Sequence, residues 1–245
     1  MSGTEQRVAI VTGGSRGIGR AVSERLAADG QAVVVVYANN TAEAQATVAA
    51  ITDTGGRALA VRADVADERA VHGAFDAAEA EFGGVDVVVN SAAIMVLGTV
   101  ADLDLADLDR MHRTNIRGTF VVGQQAARRV RPGGAILNFS SSVRRASFPT
   151  YAAYSASKGA VEALTPVLAK ELRGRDVTVN TVAPGPTATA LFLDGKTEEQ
   201  VAQLARANPM ERLGDPADIA EVVSFLAGPG RWVNGQTVYA NGGMV

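Results

Sequence analysis

Seven short apolar runs recur along the chain, and they are continuous where a half-exposed strand would alternate. The purest is Ala-Val-Val-Val-Val-Tyr at 32–37; the others lie at 7–12, 58–63, 85–90, 135–140, 177–183 and 236–240. A strand apolar on both faces must be covered on both faces, which is the condition of a parallel sheet between two layers of helices. The intervening stretches are rich in Ala, Glu, Leu and Arg and long enough for crossover helices. Right-handed crossovers wind such strands into one doubly wound sheet. The expected fold class is therefore α/β, a single doubly wound parallel sheet with helices on both faces. No repeat, linker or shift of composition divides the chain, so residues 1–245 read as one domain. The stretch about 186–212 is the irregular one. It lengthens a connection at a strand's C-terminal end and reads as a substrate-binding loop or lid.

The chemistry available to the chain is narrowed by what it carries. A net charge of −3 gives no electrostatic reason to expect nucleic acid or a membrane surface as partner. Cysteine is absent, which removes disulfides, thiolate metal sites and a cysteine nucleophile. The N-terminal apolar run is too brief for a signal-peptide core, and Ala32–Ala38 falls far below the ~20 residues that span a bilayer. A cytoplasmic protein is the expectation.

The first strand runs directly into Thr-Gly-Gly-Ser-Arg-Gly-Ile-Gly, residues 12–19. The spacing of Gly13, Gly17 and Gly19 is not the G-x-G-x-x-G fingerprint, but it answers the same demand. Backbone must turn sharply, approach a pyrophosphate and present free N–H groups at a helix N-terminus. Ser15, Arg16 and Ile18 complete this candidate dinucleotide loop. Enzymes that select NAD usually place a carboxylate at the end of the second strand for the ribose 2′-hydroxyl. Here that place holds Tyr37, Ala38 and Asn39, and the first acid is Glu43. A 2′-phosphate would meet no repulsion there, and Arg16 offers it a fork of donors. NADPH is expected over NADH.

Two tyrosines precede Lys158. Tyr154 is one helical turn away at i, i+4, whereas Tyr151 is two turns away, roughly 10 Å along the axis. Only Tyr154 can share a small site with the ammonium, which would draw the phenol's pKa below its usual ~10 and make it useful in proton transfer. Thirteen residues upstream, Ser141 ends the fifth strand, where a hydroxyl can hold a carbonyl oxygen while the phenol donates to it.

Together the glycine loop, Ser141 and Tyr154-x-x-x-Lys158 resemble the short-chain dehydrogenase/reductase family over essentially the whole chain. The resemblance implies a Rossmann-like sheet of seven strands in the order 3-2-1-4-5-6-7. It implies an oxidoreductase, of 3-oxoacyl reductase or carbonyl reductase type, that reduces a ketone or aldehyde with NADPH. By the same resemblance Asn115 is a fourth catalytic residue, Asp64 and Val65 contact adenine, and Asn90 and Ala92 lie along the cofactor. Pro184, Gly185, Thr187 and Thr189, in "APGPTAT", clasp the nicotinamide carboxamide, and Tyr154 and Lys158 also touch cofactor. Ser91 and Ala93 depart from the family's Asn-Asn-Ala-Gly, and Pro166 is expected to kink the helix that begins near Tyr154. A homotetramer or homodimer is implied, paired through that helix and the long helix before it.

The substrate is a small carbonyl compound whose pocket is walled by 91–98, 142–151 and 186–210. Met95, Phe148, Tyr151, Leu191 and Phe192 make it partly hydrophobic. Alternatives stay open: an NAD-linked alcohol or sugar dehydrogenase, or a non-catalytic NADP(H) sensor. Asp102, Asp104, Asp107 and Asp109 fail the calcium-loop template, because the sixth position lacks Gly and the twelfth lacks Glu; they read as an acidic helix start. His72 and His112 have no ligand spacing, and no metal site is expected. Arg128, Arg129 and Arg131 read as a solvated helix end, with docking of an acidic acyl carrier protein as the alternative.

Overall fold

The computed structural model describes residues 6–245; the polar lead at 1–5 lies outside the described residues. In chain order the elements are β1 (Val8–Thr12), α1 (Gly17–Ala28), β2 (Ala32–Tyr37), α2 (Thr41–Asp53), β3 (Ala58–Arg62), α3 (Glu68–Phe82) and β4 (Val85–Asn90). Then α4 (Leu105–Met111) continues through a π-helical stretch (His112–Arg117) into α5 (Gly118–Arg129) and β5 (Val130–Phe139). The rest is α6 (Val143–Ala146), α7 (Ala152–Glu171), β6 (Thr178–Pro184), α8 (Ala190–Leu193), α9 (Glu198–Ala207), α10 (Pro216–Ala227) and β7 (Thr237–Ala240).

The strands form one sheet, ordered β3-β2-β1-β4-β5-β6-β7, with every neighbouring pair parallel. Continuous apolar strands supply two cores, one on each face. Val8, Ile10, Val34 and Val88 point toward Phe75 of α3, Val122 of α5 and Leu168 of α7. Ala9, Val11, Val33, Val35 and Val89 point toward Leu26 of α1, Ile51 of α2 and Val223 of α10. The period of two along each strand feeds both layers, which is why no position between Val8 and Val11 could be polar.

At the C-terminal edge the register changes this logic. Thr12, Asn90, Asn138, Thr181 and Thr237 are successive register partners across β1, β4, β5, β6 and β7. Within this row Thr12 Oγ1 donates to Asn90 Oδ1 at 3.0 Å, and Asn138 Nδ2 to Thr165 Oγ1 at 3.2 Å. Above this polar row the chain opens into the loops that carry the site.

Pro166 lies inside α7, and the helix continues past it over twenty residues in all. One expectation is corrected. Arg129 is not a solvated helix end. Its side chain is only 14 % exposed, forks onto Asp76 and Glu79, and lies over the Phe75 ring. Arg131 likewise turns inward to Asp86. Two of the three arginines are thus engaged within the fold, which weakens the case for an acidic carrier docking there. Asp104 caps α4 by accepting from Ala106 N–H, as an acidic helix start should.

Candidate active site

Three loops meet at the sheet's C-terminal edge. The first is the glycine loop. Gly13 and Gly17 have φ of +66° and +53°, conformations that side chains resist. A Cβ on Gly19 would fall 2.1 Å from the Gly13 carbonyl, and one on Gly13 would fall 3.0 Å from Ala92 Cα. The loop therefore closes on itself and on the 90–92 backbone. Ser91 Oγ donates to Thr12 O at 2.8 Å and Ala92 N–H to Thr12 Oγ1 at 3.2 Å, so the departure at Ser91 becomes a tie between β4 and β1. Ser15 is buried, with Thr47 of α2 donating to its carbonyl, while Ile18 packs inward and Arg16 is exposed. No side chain caps α1, and its first turn holds no acid. Its free N–H groups and positive dipole end suit an anion.

Beside this loop, β2 ends in buried Tyr37, followed by exposed Ala38 and Asn39. Sequence reasoning missed Arg62, the register partner of Tyr37, whose Nε donates to Ala38 O at 3.0 Å. Its signal was its place as the last residue of β3. It also missed Arg113, which pairs with Asp64 at 2.7 Å. Burial pushes the Asp64 carboxyl up, but Ala66 N–H and Arg113 outweigh it and hold the group below the usual carboxylate value. Val65 is buried against Gly118.

The second loop follows β5 as Ser140-Ser141-Ser142. Ser141 stands beside the Tyr154 phenol, near enough for its hydroxyl to favour the ionised form. Tyr154 and Lys158 are buried on the same face of α7, with Lys158 Nζ 5.6 Å from the tyrosine ring centre. Nζ donates to Phe139 O at 2.8 Å. Burial pushes the Tyr154 phenol up, Tyr151 adds to this, and only the Ser141 hydroxyl opposes it. Burial brings Lys158 down to about 8. In this arrangement burial outweighs the expected downward pull on the phenol, and Nζ is turned to a backbone carbonyl.

Asn115 is buried in the π-helical stretch. Its side chain accepts from Ile94 N–H and donates to Ile94 O, both at 2.9 Å, and Nδ2 also reaches Ser157 Oγ at 3.1 Å. Its carbonyl accepts from Thr119 Oγ1 at 2.6 Å. A π-bulge re-aims side chains and is a frequent mark of function. Ser157 in turn donates to Tyr154 O at 2.7 Å, linking Asn115 to α7.

The third loop follows β6. A Cβ on Gly185, which comes directly after Pro184, would fall 2.8 Å from Asn241 Cβ. Thr187 is buried and bridges to Gly214, while Thr189 caps α8 and lies 3.3 Å from where a Gly17 Cβ would be. Thr189 and the glycine loop are thereby brought together.

Of the predicted pocket residues, Met95 and Tyr151 pack with Tyr154, Met111 and Ala153 in one apolar cluster. Phe148 meets Tyr151 edge-on at 6.0 Å. Leu191 and Phe192 sit apart from that cluster on α8, Phe192 beneath Lys196. Among the described residues there is no group of three metal-ligating side chains, and no helix is long and apolar enough to cross a membrane.

Comparison with known proteins agrees with this architecture. The family model described as "Enoyl-(Acyl carrier protein) reductase" matches residues 13–245. The chain is 43 % identical to an Arabidopsis thaliana protein named NADPH-dependent aldehyde reductase-like protein, chloroplastic, over 98 % of this chain and 94 % of that one. It is 39 % identical to the versicolorin reductase of Emericella nidulans, over 97 % and 95 %. A short-chain dehydrogenase from Burkholderia cenocepacia, solved in complex with NADP, superposes with a TM-score of 0.91 at 39 % identity, covering 99 % of both chains. The glycine loop, the seven-stranded order and these relatives give one conclusion: the chain belongs to the short-chain dehydrogenase/reductase family of oxidoreductases.

Proposed function

We propose that this protein reduces a ketone or aldehyde to the alcohol with NADPH. The observation that carries the reading is buried Tyr154 and Lys158 with Ser141 beside them, next to a glycine cradle closed tightly at Gly13 and Gly19. Relatives named as NADPH-dependent and a neighbour solved with NADP support the choice of cofactor.

Gly13, Gly17 and Gly19 with the uncapped start of α1 would hold the pyrophosphate. Arg16 with Asn39 and with Ala38, whose carbonyl Arg62 holds, would receive the 2′-phosphate, and Asp64 and Val65 the adenine. Asn90, Ala92, Pro184, Gly185, Thr187 and Thr189 line the nicotinamide end. Bound there, NADPH supplies the hydride.

Ser141 donates a hydrogen bond to the substrate carbonyl oxygen and fixes it beside the Tyr154 hydroxyl. Tyr154 donates its proton to that oxygen as negative charge develops; burial keeps the phenol protonated and ready. Lys158, brought down to about 8 by burial, is an ammonium at neutral pH that can relay a proton to the phenol once it leaves Phe139 O. Asn115 fixes Ile94 and, through Ser157, the backbone of Tyr154.

Met95, Tyr151 and Phe148 wall an apolar pocket, and segment 186–212, with Leu191 and Phe192, forms its lid within a single-domain enzyme. The assembly is a homotetramer. Phe120 of α5 and Val167 of α7, about half exposed, are the apolar residues these helices offer a second copy. The test is an NADPH-oxidation screen against acyl thioesters, aryl ketones, diketones and sugars. Turnover of one class supports the reading, and silence across the panel despite tight NADPH binding contradicts it.

A further inference from the structure

Tyr154, Lys158 and Glu162 stand at i, i+4 and i+8, one stripe along a single face of α7. The third member has no part in the chemistry above, yet it is the most heavily bonded carboxylate near the site. Its side chain is 10 % exposed. Oε1 accepts from Ser140 Oγ at 2.7 Å and from Tyr239 OH of β7 at 3.4 Å. Oε2 pairs with Nε of Arg144 on α6. Arg144 also reaches Tyr239 OH at 3.4 Å, and Arg145 covers the Tyr239 ring at 4.0 Å.

These contacts bracket Ser141. Ser140 and Ser142 both give their hydroxyls to partners elsewhere in the fold, and Ser141 between them is the serine that stands beside Tyr154. Ser142 is fixed from the far side: Oγ donates to Ala183 O at 3.3 Å and accepts from Asn241 Nδ2 at 3.1 Å. Ser140 is fixed from the near side by Glu162. One carboxylate thus joins the helix that carries Tyr154 to the turn that carries Ser141.

Resting on the function proposed above, we infer that Glu162 is a positioning residue that sets the Ser141–Tyr154 geometry by clamping Ser140 and Arg144 onto α7. It acts through position and not through its field. Arg144 neutralises it, and the downward shift of Lys158 has burial as its cause. Displacing a donor by about 1 Å at a reacting centre can cost about 10²-fold in rate.

The test compares Glu162→Ala, Glu162→Gln, Ser140→Ala and Tyr154→Phe in NADPH oxidation with the fastest carbonyl of the panel, far below each variant's Tm. Glu162→Ala should lower kcat about tenfold or more and leave the KM for NADPH within about twofold. Glu162→Gln keeps an acceptor for Ser140 and Tyr239 and loses only the pair with half-exposed Arg144, so it should restore kcat to within about threefold of wild type. Ser140→Ala should repeat the kcat loss, and it decides the matter if Glu162→Ala does not fold. A Glu162→Ala enzyme with a lower Tm but kcat within twofold of wild type would overturn the proposal while Tyr154→Phe remains inactive. An active Tyr154→Phe would overturn both this proposal and the reading of the site beneath it.

Discussion

Lys158 Nζ lies 5.6 Å from the centre of the Tyr154 ring and gives its hydrogen bond to the Phe139 carbonyl, 2.8 Å away. The two side chains share a face of α7 but do not hydrogen-bond each other through Nζ. Burial therefore governs both: it raises the phenol and lowers the ammonium.

A buried lysine with a folded pKa of about 8 against an ordinary 10.5 weighs against the fold wherever it is charged. Between those values the unfolded chain binds the extra proton, so stability rises with pH there. From pH 7.5 to 10 the wild type should gain about 2 kcal/mol on Lys158→Met, measured by urea unfolding of both. Parallel pH profiles for the two proteins would contradict the burial argument.

Gly19 is the tightest point of the cradle. Gly19→Ala places a Cβ 2.1 Å from the Gly13 carbonyl, so the loop must shift and NADPH affinity should fall a hundredfold or more, about 3 kcal/mol. Gly55→Ala is the control. Its φ of +83° strains an added side chain, but nothing lies within 4 Å of its Cβ position. It should cost about 1 kcal/mol of stability and leave NADPH binding unchanged by calorimetry.

Cofactor choice rests on what is missing at the end of β2. Arg16→Ala should weaken NADPH about tenfold or more and leave NADH within about twofold, since a charge-assisted bond to phosphate is lost. Ala38→Asp puts a carboxylate where the 2′-phosphate would lie and should reverse the preference. Kd values for both nucleotides check this, and equal losses for NADPH and NADH would refute the placement.

The strands and the Tyr154–Lys158 pair were legible because each depends on local period, whereas the sheet order followed only from the family resemblance. Ala32–Tyr37 is apolar at every position, and residues four apart on a helix must share a face. The orientation of Lys158 was not legible, because it depends on a strand carbonyl nineteen residues away in sequence. Arg62 and Arg113 escaped for the same reason: β-register and a π-bulge bring them to Ala38 and Asp64. The π-helical stretch at Asn115 has no composition signal; it coincides with the ties of Asn115 to Ile94 and Ser157, which are distant in sequence.

Phe120 and Val167 are 49 % and 52 % exposed on α5 and α7, large apolar groups for a solvent face. Phe120→Glu with Val167→Glu should reduce the assembly to smaller species in light scattering. A double variant of unchanged mass would place the interface elsewhere.

The central claim is that Tyr154 gives the proton, and Tyr154→Phe tests it most directly. Phenylalanine keeps the ring among Met111, Ala153 and Met95 and removes only the hydroxyl. Single-turnover and steady-state NADPH oxidation should fall by about 10²–10⁴-fold, with the Kd for NADPH within about threefold of wild type. A variant that keeps most of its rate would show that another group supplies the proton.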